Sequence, residues 1–232
     1  MTDAVAHLDT ALGVSGDQHL EAGSPLLESV SDGGPHAETK GERTRRRLVE
    51  IAIERFGDRG YRTTSVSEIA RAAGLTQAAV YAYFDSKETL FDAAVDADAA
   101  AAIVETSRQA EHTPANQLVP MLLMLFLGNI DRHPLVRRVL AGKEPDTLPR
   151  LVNLPALGEL TATIAARVRV AQDAGEVRTD IDAEMFSNGA EAILLSLLMS
   201  VVQVGASTEA RRQLGVLTIF DTALRPPADP LR

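Results

Sequence analysis

The stretch TTSVSEIARAAGLTQAAVYAYFDSKETL, residues 63–90, reads as two short amphipathic helices separated by one glycine. Ser65 and Glu68 stand at capping-box spacing, and Val66, Ile69, Ala70 and Ala73 then fall on one helical stripe. Gly74 stops that helix after about two turns. Thr76 is the next expected N-cap, with Leu75 before it and Val80 after it at the spacing of a hydrophobic staple. This second helix is expected to run to about Phe84. Asp85 and Glu88 then suggest another box, opening a long helix from Ser86 to about Ala110. Two of the chain's three tyrosines, Tyr81 and Tyr83, lie in the second short helix.

Two short helices joined by a glycine turn form a helix-turn-helix, whose second helix fits the major groove of DNA. Around that helix Val80 and Phe84 share an inward face. Gln77, Ala78 and Tyr81 share a neighbouring face and are the base-facing candidates. Glutamine pairs bidentately with adenine, and a small apolar group meets the thymine methyl. Phosphates are expected to meet Arg43 and Arg45 before and in the preceding helix, Thr64 in the loop, Tyr83, and Lys87 at the next helix start. Tyr83 has two readings, phosphate contact or core filling. Tyr61 is expected to pack at a helix end.

The chain has 232 residues and a net charge of −9, which by itself argues against nucleic acid. Its distribution reverses that argument. Residues 1–39 hold seven acids and no lysine or arginine, whereas residues 40–92 hold ten bases and eight acids. The only net-positive segment is therefore the one that carries the helix-turn-helix. Cysteine is absent, so neither a disulfide framework nor a thiolate metal site is available. The five histidines are scattered without metal-ligand spacing, and no nucleophile–base set stands in a catalytic context. We therefore expect no catalytic residue, metal or cofactor. The N-terminus lacks the pattern of a secretory signal, and the longest uncharged runs are broken or short, so a cytoplasmic protein without a membrane span is expected.

Upstream, Leu48, Ile51, Ala52 and Phe56 mark a first helix that ends at Gly60. Downstream, helices are expected near 115–131, 134–141, 155–174, 182–205 and 208–224, with no strand. The run Met121, Leu122, Met124, Leu125, Phe126 is either ordinary core or the wall of an adaptable apolar pocket. Ala192–Val204 is apolar nearly all round and is expected to be buried on more than one side, within its own domain and against a second copy.

Residues 44–91 resemble the DNA-binding domain of the tetracycline repressor (TetR) family of transcriptional regulators. The resemblance rests on Phe56-x-x-x-Gly60-Tyr61, Thr64-Ser65-Val66, Glu68-Ile69-Ala70, Ala73-Gly74-Leu75, Tyr81-x-Tyr83-Phe84 and Lys87-Glu88-x-Leu90. Ala78 and Val80 depart from it, since many members have glycine or proline, and leucine, at those places. The resemblance implies an all-α homodimer in which a three-helix DNA-binding domain precedes a helical ligand-binding and dimerisation domain. Its partners would be a near-palindromic double-stranded operator and a small, mostly apolar effector that releases the DNA, most often relieving repression. A regulator of the same fold without such a ligand, answering to a protein partner or constitutive, is the alternative.

From their composition, rich in Gly, Ser, Asp and Pro without a sustained apolar period, residues 1–41 are expected to be a disordered acidic tail. Residues 42–90 would bind DNA, 91–225 would bind ligand and dimerise, and 226–232 would be a short tail. The ligand candidates are Gln117, Met121, Met124, Leu125, Phe126 and Asn129. The dimer candidates are Ile193, Leu197, Val201, Val204, Leu217 and Phe220. Such a protein would work at the nucleoid.

Overall fold

Helix α1, Lys40–Arg59, begins at a capping box: the Thr39 side chain accepts from the Glu42 amide, and Glu42 accepts from the Thr39 amide. The computed structural model describes residues 38–205, 215–216 and 218–226, so most of the expected acidic tail, Leu217 and the last residues lie outside the described set. The described residues are helical with no strand. Helix α2 (Val66–Ala73) starts at the Ser65–Glu68 box and ends on Gly74 in the left-handed conformation, φ 73°. The Gly74 amide bonds to Arg71 and the Leu75 amide to Ala70, a Schellman turn that closes the helix. Helix α3 (Gln77–Tyr81) is capped by Thr76, as its sequence demands, but stops three residues before Phe84. Beyond Tyr81 the chain tightens, and the amides of Tyr83 and Phe84 both bond to Val80.

Helix α4 (Lys87–Gln109) is capped by Ser86 with Thr89, not by the expected pair Asp85 and Glu88. A hydroxyl at each position satisfies the same two amides, so the acidic pair is not needed. Helices α5 (Ala115–Asn129) and α6 (Pro134–Leu140) follow. Pro120 lies inside α5, one turn past its start. A short helix α7 (Leu148–Val152) was not anticipated, because Pro145 and Pro149 disguise it as loop. Helices α8 (Pro155–Asp173) and α9 (Ala183–Val204) form an antiparallel pair, and 218–224 is helical again.

Two apolar clusters fill the residues from Glu38 onward. The first joins Leu48, Phe56, Ile69, Val80, Phe84, Leu90 and Phe91 from α1 to the start of α4, together with Leu135 of α6. The second joins the rest of α4 and α6 to α5, α7, α8, α9 and Phe220. Helices α4 and α6 therefore belong to both cores. Helix α9 is long and apolar enough to cross a bilayer by length and composition, but here it packs lengthwise against α8.

The N-terminus of α6 is pinned to α4 by Asp98. One Asp98 oxygen accepts from the amides of Leu135 and Val136 at 2.9 and 3.1 Å, and the other lies 3.0 Å from Nδ1 of His133. A carboxylate at a helix start meets both the free amides and the positive end of the dipole. Glu105 faces the other ring nitrogen of His133 at 3.3 Å and also takes Arg132. His133, which looks like a loop residue in sequence, is thus a buried joint between two helices. On the opposite side Pro134 sits so close to α1 that a Cβ on Gly57 would stand 2.6 Å from it.

Candidate functional site

Helix α3 is too short to be stable alone and is held by burial. Val80 and Phe84 are buried, and Leu75 packs beside them. This fixes the rotation of the helix. Gln77 and Ala78 point outward, and Tyr81 is 43% exposed. The structure thus brings the three base-facing candidates together on one open surface that carries no charge. Tyr83 is half-buried with its ring against the first core, while its hydroxyl has no partner among the described residues. The core-filling reading of Tyr83 holds for its ring, and its hydroxyl is left open.

Cations frame this surface. The Arg45 guanidinium lies 4.8 Å above the Phe84 ring, and the Lys87 ammonium 4.5 Å from the Tyr61 ring. Tyr61 itself packs on Phe91, with ring centres 5.0 Å apart. Arg43 is exposed and pairs loosely with Glu38 at 3.9 Å, a contact that a phosphate can replace. Thr64 must be removed from the phosphate set. It is 1% exposed, and its hydroxyl donates to the carbonyls of Gly60 and Arg55 at 2.9 and 3.1 Å, locking the turn after α1.

The second feature is an apolar cavity of about 70 Å³ between α4, α6, α8 and α9, with Phe126 of α5 on its wall. Of the expected ligand residues, only Phe126 lines it. Gln117 is exposed, and Met121 and Met124 are 39% and 56% exposed, because α5 turns that face outward. Leu125 packs on the second core without reaching the cavity. Asn129 is buried, but its amide donates to Gln109 at 3.0 Å. The sequence reading missed Thr161 of α8 and Glu191 of α9, the polar members of the wall. Glu191 had a signal: it is the single acid in the otherwise uncharged stretch from Met185 to Val204.

The expected dimer residues also divide. Leu197, Val201 and Phe220 are already buried within one chain, so they cannot be a contact surface. Ile193 and Val204 do face outward, at 38% and 56% exposure. With them along α9 run Met185, Gly189, Ala192 and Ser196, an outward stripe of small and apolar groups without charge. Among the described residues no group of acids and histidines is arranged to hold a metal.

Residues 48–94 match the family model described as bacterial regulatory proteins, tetR family. The chain is 29% identical over 187 residues to the HTH-type transcriptional repressor AcnR of Corynebacterium efficiens, spanning 79% of this chain and 94% of that one. A TetR transcriptional regulator from Chloroflexus aurantiacus has a similar structure, with TM-score 0.61 and 27% identity over 80% of this chain and 97% of that chain. The transcriptional regulator FadR from Bacillus subtilis, solved in complex with stearoyl-CoA, shares the fold at TM-score 0.59 and 14% identity, covering 78% of this chain and 99% of that chain.

Proposed function

The chain belongs to the TetR family of DNA-binding transcriptional regulators, and from that premise we propose that it is a repressor released from its operator by a small, mostly apolar molecule. The observation that carries the proposal is the rotation of α3, which turns Gln77, Ala78 and Tyr81 outward together while Val80 and Phe84 anchor it. Arg43, Arg45, Tyr83 and Lys87 are assigned to phosphates, which position the protein without reading sequence. No residue is assigned to catalysis. Two protomers joined through the outward stripe of α9 would present two α3 helices, and two-fold symmetry then calls for a near-palindromic site on chromosomal DNA in the cytoplasm.

Release is proposed to run through α6. Its Val136 and Leu140 line the cavity, its Leu135 lies in the first core, and its Pro134 presses on Gly57 of α1. An occupant that displaces α6 displaces the frame holding α3. The cavity of about 70 Å³ is well below the ~300–1,000 Å³ of ordinary ligand pockets. Binding must therefore enlarge it, and that enlargement is the movement that α6 transmits. The same small volume is what favours the second reading, a regulator without a small-molecule ligand that answers to a protein partner or acts constitutively.

The experiment is selection of genomic fragments by the purified protein, followed by release of the recovered fragment with apolar compounds. Recovery of one near-palindromic sequence, released by such a compound, supports the proposal. Specific binding that no compound relieves would leave only the second reading.

A further inference from the structure

The wall of the cavity is apolar except at one place. Glu191 on α9 is the single ionisable side chain that lines it, and Thr161 on α8 is the single hydroxyl. The Thr161 hydroxyl lies 2.6 Å from Oε2 of Glu191 and 3.0 Å from the Leu157 carbonyl, so its one proton is shared between two acceptors. Oε1 of Glu191 has no partner among the described residues. Glu191 also borders the shallow outer groove between α8 and α9, which places its carboxylate where the cavity meets the surface.

We infer that the effector has an apolar body with a hydrogen-bond-donating head, an amine or a hydroxyl, bound at the Glu191 carboxylate; this rests on the cavity being the effector site. The body enters among Ile103, Phe126, Val136 and Leu140, where burial is favourable and nothing competes for a polar group. The head is left at the carboxylate. An ammonium or hydroxyl there donates a charge-assisted hydrogen bond to the open oxygen. A carboxylate or phosphate head meets a like charge; no lysine, arginine or histidine lines the cavity wall, and Arg169 of the outer groove is paired with Glu184 at 2.5 Å. The site thus selects against acyl anions by the charge at its mouth, whatever the shape of the tail.

Three probes share an eight-carbon chain and differ in the head: octylamine, 1-octanol and octanoate. Calorimetric titration of the full chain is expected to give at least tenfold tighter binding of octylamine and of 1-octanol than of octanoate. Excess 1-octanol should displace octylamine, which separates the cavity from unspecific attraction to an acidic protein. Glu191→Gln should weaken octylamine at least tenfold and 1-octanol by a smaller factor, because a neutral amide oxygen still accepts from a hydroxyl but does not pair with an ammonium. Octanoate binding as tightly as octylamine, or an unchanged octylamine affinity in Glu191→Gln, overturns the head-group inference and leaves the cavity reading standing. If none of the three binds while selected DNA is still bound, the effector reading of the cavity falls, and this inference with it.

Discussion

Gln77 stands at the start of α3 with its amide free in solvent, one turn before Tyr81 on the same face. A bidentate glutamine–adenine pair contributes about 1–3 kcal/mol of discrimination. Gln77→Ala is therefore expected to weaken the cognate fragment about tenfold in fluorescence anisotropy and to leave random DNA unchanged; equal losses on both would remove Gln77 from base reading. Lys87→Ala should weaken every fragment alike and lower the salt slope by about one unit. Thr106 offers a test of a different kind. It is fully buried on α4 and its hydroxyl has no hydrogen-bond partner among the described residues, a state that costs about 1–3 kcal/mol. Thr106→Val keeps the shape, so it should raise the unfolding free energy by about 1 kcal/mol, and a loss would mean that the hydroxyl is bonded. The Glu68 carboxyl is held below its ordinary value of 4.5, first of all because the Ser65 amide donates to it. That stabilising contribution is present above the ordinary value and disappears as pH falls through the lowered one.

Among the elements, those whose signals are local were legible in the sequence. Ser65, Glu68, Gly74 and Thr76 fix α2, its turn and the start of α3 by side-chain hydrogen bonds within a few residues, and the structure follows them. The box at Thr39 and Glu42 was equally local and was overlooked, which misplaced the start of α1 by a few residues. The faces of α5 and α9 were not legible. Both are apolar nearly all round, so periodicity does not say which side meets the chain's own core and which meets solvent or a copy. Met121 and Leu197 were misassigned for that reason, and the burial of His133 was not legible because its partners Asp98 and Glu105 come from 28 to 35 residues away. The contact of α1 with α6 was hidden for the same reason, since Gly57 reveals its purpose only when Pro134 is beside it. In Gly57→Ala, helix propensity gains up to about 1 kcal/mol, while overpacking against a rigid ring costs about 1–3 kcal/mol. Denaturant unfolding should therefore show a net loss near 1 kcal/mol, and a gain would contradict the close docking of the two helices.

At the scale of the molecule, one protomer exposes a charge-free stripe along α9, and in the proposed dimer it would read one half of a two-fold site. Ser196 lies on that stripe, is exposed, and among the described residues bonds only to the Ala192 carbonyl of its own helix. Ser196→Arg should leave the chain folded and give monomers in sedimentation, with specific DNA affinity falling at least a hundredfold. An unchanged dimer would move the interface elsewhere. If α3 reads sequence from a two-fold dimer, selection from a random-sequence DNA pool should reveal it. The expected result is a near-palindromic motif whose half-sites lie about one helical turn apart, or a multiple of it, lost when Gln77 and Tyr81 are both replaced by alanine. Recovery of no motif, or of the same motif by the doubly substituted protein, would contradict it.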